Sequence, residues 1–246
     1  MGYNIIVCIK QIANDIEIDP QTREPVFSDT KYRLEDLSRN AVEEAVRIKE
    51  KYGGKVTGIL FGTEQSTVVM KEAMAMGADE GIIVKGFKEN SPDFTAKVLA
   101  ERIKRIQYDI IIIGYASADS YTAQVPGALS ILLGIPLLGS AIKTEIADNK
   151  VRITRESDDF DIVESASMPL LVSVTQEANE PRLPLLIQVM AAAKKPMSIE
   201  ETALKYDGID KIIGNKAPES GRKHIIYEDE GKGIEEIVKI IKGEIS

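Results

Sequence analysis

Tryptophan is absent from the 246 residues, cysteine and histidine occur once each, and phenylalanine occurs five times. With Cys8 alone an intrachain disulfide cannot form, and a reducing, cytoplasmic setting is expected. His224 alone removes paired-histidine metal sites, histidine-dependent triads and most zinc arrangements; in its polar C-terminal stretch it reads as solvent-exposed rather than catalytic. So few aromatics leave little stacking surface for single-stranded nucleic acid. The formal net charge of −8, from 39 acidic and 31 basic residues, argues further against a nucleic-acid backbone as partner. No run approaches the roughly 20 apolar residues of a membrane span, and the N-terminus lacks a basic-then-apolar signal pattern, so no stable membrane insertion is expected. There is also no GxGxxG after a strand, no Walker lysine motif, no GxSxG elbow, no CxxC and no convincing pair of carboxylates. Without a histidine base or clustered thiols, hydrolytic and covalent mechanisms have few players. No catalytic or metal-ligating residue is assigned.

What is present centres on Asp109–Pro136, DIIIIGYASADSYTAQVPGALSILLGIP. Four isoleucines, Ile110 to Ile113, are too apolar for a strand with one wet face and predict a parallel sheet covered on both sides, ended by Gly114. A polar loop, Tyr115–Tyr121, leads into a helix predicted from Thr122 to Leu133 and closed by Gly134 and Pro136. In open α/β sheets ligands sit beyond the carboxyl ends of the strands, and a small-residue loop entering a helix suits a phosphate. Asp119, Ser120, Thr122, Ala123, Gln124 and Val125 are therefore the first candidates for a nucleotide site. The competing reading is a βα loop that is polar only because it faces water.

The rest of the chain reads as units of the same kind. Asn4–Ile9 is a first buried strand with Lys10 at its crevice end; a long connection, Gln11–Glu35, carries strand-like pieces and leads to a helix capped by Asp36 or Ser38. Lys55–Phe61 and Gly81–Lys85 are further strands; helices follow from Glu64 to Met76 and from the Ser91–Pro92 cap. The methionines of MKEAMAMGA read as packing groups rather than a redox stripe. Four such units predict an α/β fold with a doubly wound, mostly parallel sheet, Rossmann-like in binding an adenine nucleotide. After Leu138 the pattern alternates, and Ala141–Ala147, Lys150–Glu156 and Phe160–Ala166 are predicted antiparallel, before a buried strand at Pro169–Thr175. A polar loop, a helix from Pro184, an unpatterned arm over 196–231 and an amphipathic helix at Gly233–Lys242 complete the chain.

The stretches AVEEAVRIKE (Ala41–Glu50), AMAMGAD (Ala73–Asp79), the Asp119–Gln124 loop with TAQV, LGIP (Leu133–Pro136), NEPR (Asn179–Arg182) and MAAAKK (Met190–Lys195) follow one another in an order and spacing that resemble the electron transfer flavoprotein beta subunit family. The resemblance runs from the first strand to the last helix. It implies a heterodimer whose main FAD is held by the alpha subunit, while this subunit holds AMP or, in bifurcating members, a second FAD. It implies nucleotide contacts from Cys8; from Glu35, Asp36, Leu37 and Ser38; from Phe61 and Gly62; and from Gly114 through Val125. It further implies a loop near 180–195 that engages a dehydrogenase or other redox partner, with Glu180, Pro181, Arg182, Leu185 and Leu186 as contacts. The division it suggests is a nucleotide domain over 1–195, including antiparallel strands near 141–166, and an arm and helix over 196–246 docking on the partner. Glu35–Asp36 stand where the family often has Asn-Pro, which bears on the contact that asparagine makes there; in the loop, TAQV matches the DGDTAQVG pattern of bifurcating members while Tyr121 and Pro126 depart from it, so AMP and FAD both stay open. An adenine-nucleotide-binding stress or sensor protein, without a redox role, is the alternative.

Overall fold

The computed structural model describes residues 2–28, 30–87, 91–206, 213–219, 225–228 and 230–243. His224, expected to be exposed, lies outside them. Seven strands form the central sheet: β1 Tyr3–Ile9, β2 Gly54–Gly62, β3 Glu80–Lys85, β4 Ile110–Gly114, β5 Leu137–Ala141, β6 Leu170–Val174 and β7 Met197–Glu201. All pairings are parallel, in the order β7-β3-β2-β1-β4-β6-β5. The isoleucine run is the inner part of this sheet: every residue of β4 is buried, and Ile110 to Ile113 pair with Ile5 to Cys8 on one side.

Successive side chains of a strand point to opposite faces, and the two faces here are covered by different helices. Ile5, Val7, Ile110 and Ile112 join α1 (Asp36–Tyr52) and α2 (Thr67–Met76) in one core. Ile6, Cys8, Ile111 and Ile113 join α3 (Pro92–Ile103) and α4 (Gln124–Leu133) in the other. Met70, Met74 and Met76 are fully buried in the first core, as the packing reading expected. Where the four units sit in one sheet, the order of strands reverses between β1 and β4, opening a crevice at their carboxyl ends.

Several boundaries differ from the expectation. Helix α1 is capped by Glu35, not by Asp36 or Ser38: its side chain accepts from the amides of Leu37 (3.1 Å) and Ser38 (2.7 Å). Helix α4 begins at Gln124 rather than Thr122, because Ala123 takes a left-handed conformation (φ 53°) that no α-helix continues. Its end is as expected, with Gly134 left-handed (φ 69°). Met197–Glu201, expected to open the arm, is the edge strand β7 on β3, so the sheet extends past residue 195. A strand with no buried residue, three of its five being exposed, lacks the continuous apolar run that marks the inner strands, and so it has no sequence signature. The antiparallel strands Lys143–Ala147, Lys150–Glu156 and Asp161–Ser167 form their own three-stranded sheet. The first two are joined through Asp148 and Asn149, both with positive φ, as a two-residue hairpin turn requires.

Candidate functional site

The crevice at the β1/β4 reversal encloses about 730 Å³, counting the part open to solvent, a size within the range of small-molecule sites. Its lining is of two kinds. Phe61, Phe87, Leu99 and Val125 wall one part, with the Phe61 and Phe87 rings edge to face at 5.4 Å. Ser38, Ser117, Ser120, Thr122 and Gln124 supply hydroxyl and amide groups to the other. Gly114, the last residue of β4, also lines the crevice. A Cβ there would fall 2.8 Å from Leu37 Cβ, so glycine is what lets the start of α1 close on the end of β4.

The loop between β4 and α4 is held in an unusual shape. Tyr121 (φ 47°) and Ala123 (φ 53°) are both left-handed, a conformation costly for residues with a Cβ and concentrated at functional sites. No side chain caps α4. A helix start left without a cap has backbone amides available to an anion, which the adjoining polar wall suits. Underneath, Glu35 is only 1% exposed and accepts from the Leu37 and Ser38 amides, the Ser38 hydroxyl and the Ala118 amide, joining α1 to the loop. Lys10 ties in the end of β1: its amide donates to Ser38 Oγ, its carbonyl accepts from the Glu35 amide, and its ammonium donates to Ser117 Oγ (3.0 Å) and Asp119 Oδ1 (2.6 Å). Burial pushes the Asp119 carboxyl up, but the hydrogen bonds from Lys10 and Ser117 outweigh it and hold the group below its usual range.

Of the expected nucleotide residues, the crevice is lined by Cys8, Ser38, Phe61, Gly114, Ser120, Thr122, Ala123, Gln124 and Val125. The others stand behind that wall. Glu35 and Asp119 shape the loop, Asp36 pairs with Arg33 and Arg39, Leu37 is buried against Gly114, and the Gly62 carbonyl accepts from the Phe87 amide. Burial pushes the Cys8 thiol up to about 12, so it is a protonated apolar wall and not a nucleophile. Phe87 and Leu99 were not expected, because they reach the crevice only through the packing of α3 and the exit of β3; nothing local marks them. Among the described residues no group of acids, cysteine or histidine is placed to hold a metal, and no helix is long and apolar enough to cross a membrane.

The second region of interest is the segment after β6. Asn179 donates to the Asn40 carbonyl (3.1 Å) and to Glu44 (3.1 Å), while Asn40 donates back to the Asn179 carbonyl (2.8 Å). Arg182, expected among partner contacts, is engaged within the chain. Its guanidinium donates to Glu43 (2.8 Å) and makes a two-pronged pair with Glu50 (2.6 and 2.9 Å). Burial raises the Glu43 carboxyl, yet Arg182 and Arg47 more than offset it and hold the group below its ordinary value; Glu44, without such pairing, is raised by burial. At the other end of the segment Lys195 donates to the carbonyls of Met74 (2.7 Å) and Ala78 (2.6 Å), at the C-terminus of α2. Thus NEPR meets AVEEAVRIKE, and MAAAKK meets AMAMGAD. Between these two anchors runs α5 (Leu186–Ala192), beginning at Leu186 rather than Pro184, with Leu185 67% and Leu186 77% exposed.

The electron transfer flavoprotein domain model matches residues 26–204, spanning both anchors and the crevice loop. The chain belongs to the electron transfer flavoprotein beta subunit family. It is 37% identical to the beta subunit of Thermoanaerobacterium thermosaccharolyticum over 239 residues, covering 91% of this chain and 92% of that one. It is 32% identical to the Syntrophomonas wolfei beta subunit, covering 94% and 92%, and 29% identical to that of Mycobacterium tuberculosis, covering 97% of each. Membership carries a general role in electron transfer.

Proposed function

We propose that this chain is the nucleotide-holding subunit of a two-subunit electron carrier, with AMP or a second FAD in the β1/β4 crevice. Electrons would pass from a dehydrogenase through the FAD of an alpha subunit. The observation that carries this reading is the uncapped start of α4 behind the left-handed Tyr121–Ala123 turn, at a crevice lined both by apolar side chains and by neutral donors. Such a site fits a flat base joined to a phosphate. Thr122 and Gln124 would meet the phosphate, and Phe61, Phe87 and Leu99 would cover the base. Bound there, AMP supplies charge and shape but no redox chemistry, whereas FAD supplies a second electron-accepting flavin. In this reading the chain's own residues bind, orient and exclude water.

The partner surface in this reading is the exposed apolar row of α5 with Leu185, presented by the Arg182 and Lys195 anchors. A free-standing nucleotide sensor has no use for that presentation, and family membership takes the ground from that alternative. The test is to denature the purified full-length protein and identify what it releases by mass spectrometry. AMP or FAD in near-stoichiometric amount is expected. Protein that releases no adenine nucleotide, and takes none up in a calorimeter, removes the proposal.

A further inference from the structure

Lys10 is the only charged residue lining the crevice among the described residues, and it is already engaged by Asp119 at 2.6 Å. The other described lining residues offer a phosphate neutral donors. Below the loop the Glu35 carboxyl group, buried and bonded by four N–H and O–H donors, adds no positive charge. Anion sites that take several phosphates normally pair them with cations in the wall or with a metal. Among the described residues this lining has no cation other than Lys10, and no group of acids able to carry a metal.

We propose that the Lys10–Asp119 pair sets how much negative charge the crevice accepts, and so selects adenylates carrying about two charges over ADP and ATP. The inference rests on the nucleotide reading above and adds a discriminating residue pair to it. AMP carries about two charges at neutral pH, as does the diphosphate bridge of FAD; each further terminal phosphate adds roughly one. Two charges match what a helix start, hydroxyls and one shared ammonium can balance. A third or fourth charge meets no partner while Asp119 competes for Lys10 and repels the added phosphate. Asp119 also holds the loop, accepting from Ser117 Oγ (2.7 Å) and the Ser120 amide (2.8 Å), so it places the hydroxyls that line the phosphate end.

Asp119→Asn is the informative variant, because the amide oxygen can still accept from Lys10, Ser117 and Ser120 while the negative charge is gone. Titrating AMP, ADP and ATP calorimetrically into the full-length protein freed of nucleotide should give tight AMP binding and much weaker ADP and ATP binding. In Asp119→Asn the ATP-to-AMP affinity ratio should rise by about fivefold. Lys10→Gln should weaken AMP by about tenfold and flatten the salt dependence of binding. If Lys10→Gln proves unfolded by its thermal melt, Asp119→Asn alone decides. An Asp119→Asn ratio within about twofold of wild type overturns the proposal, with AMP binding intact in both proteins and the nucleotide reading therefore untouched. A wild-type protein that binds none of the three, nor FAD, overturns both together.

Discussion

Arg182 illustrates how a single residue can fix a segment that local sequence leaves free: its guanidinium holds the loop after β6 to α1. Glu43 is almost wholly buried, and two cations, Arg182 and Arg47, pair with its carboxylate. Arg182→Ala leaves part of that buried charge unmatched, so a loss of about 2–3 kcal/mol in urea unfolding is expected. Arg182→Lys should recover only a fraction, since one ammonium cannot serve Glu43 and Glu50 in the forked geometry. The pH dependence follows from the direction of the shifts. Glu43 and Glu50 are lowered in the folded chain, so their contribution is complete above the ordinary glutamate range and disappears as pH falls through their lowered values. Glu44 is raised, so its contribution runs the other way: it is present below the ordinary range and lost as pH rises through its folded value. Limited proteolysis of the 179–195 segment across an acid pH series should therefore show the clamp opening below the ordinary carboxylate range, and Arg182→Ala should abolish that pH dependence.

At the scale of the element, α4 and α5 are each unusual at the N-terminus. Helix α4 starts from a left-handed alanine with no side-chain cap. Ala123→Gly should be neutral to stabilising by up to about 1 kcal/mol, because glycine takes that conformation without penalty, whereas Ala123→Val should destabilise by more. Gln124→Ala should leave the melting temperature nearly unchanged while weakening nucleotide retention by about 1–3 kcal/mol, if its side chain meets a charged oxygen as proposed. Equal affinity in that variant would assign Gln124 to packing. Helix α5 has only seven residues and most of its apolar side chains exposed, so its position depends on its anchors rather than on its own propensity. Lys195→Met should cost about 1 kcal/mol by uncapping the last carbonyls of α2. Leu186→Asp should change stability by less than about 0.5 kcal/mol yet slow electron delivery from a partner dehydrogenase, measured as flavin reduction in the reconstituted heterodimer.

For the whole molecule the outstanding feature is uncovered apolar surface at the C-terminal end. Helix α6, Glu230–Ile241, exposes Ile234, Ile237, Ile240 and Ile241, and in the arm Ile213 and Ile226 are almost bare. The described part of the arm is tied down at only a few points: the Ala217 amide donates to the Arg23 carbonyl (2.8 Å), Glu219 pairs with Arg23 (3.0 Å), and Tyr206 packs edge to face on Phe94. Exposed rows of this kind are covered in an assembly or drive self-association. The full-length chain alone is therefore expected to be less stable or to self-associate, and co-expression with an alpha subunit to give a yellow one-to-one heterodimer. Truncation before Gly231 should weaken that assembly and leave the crevice, built by residues before 127, able to bind nucleotide. Size-exclusion chromatography with light scattering, on both lengths and with and without the alpha subunit, checks each outcome. A monodisperse monomer indifferent to the alpha subunit at micromolar concentration contradicts the heterodimer.

The isoleucine run of β4, the Ser91–Pro92 cap, the glycine after α4 and the alternating strands after Leu138 were all legible in the amino-acid order, because periodicity and capping act over a few neighbouring residues. The order of NEPR, AVEEAVRIKE and the TAQV loop also identified the family unaided. Tertiary structure alone decided three things. It made Met197–Glu201 an edge strand, since pairing with β3 overrides a weak local pattern. It turned Arg182 inward, since its carboxylate partners lie more than a hundred residues earlier in the chain. And it brought Lys10, Glu35 and Asp119 into one network under the crevice, since parallel strands place the ends of β1 and β4, distant in sequence, side by side at the same edge of the sheet.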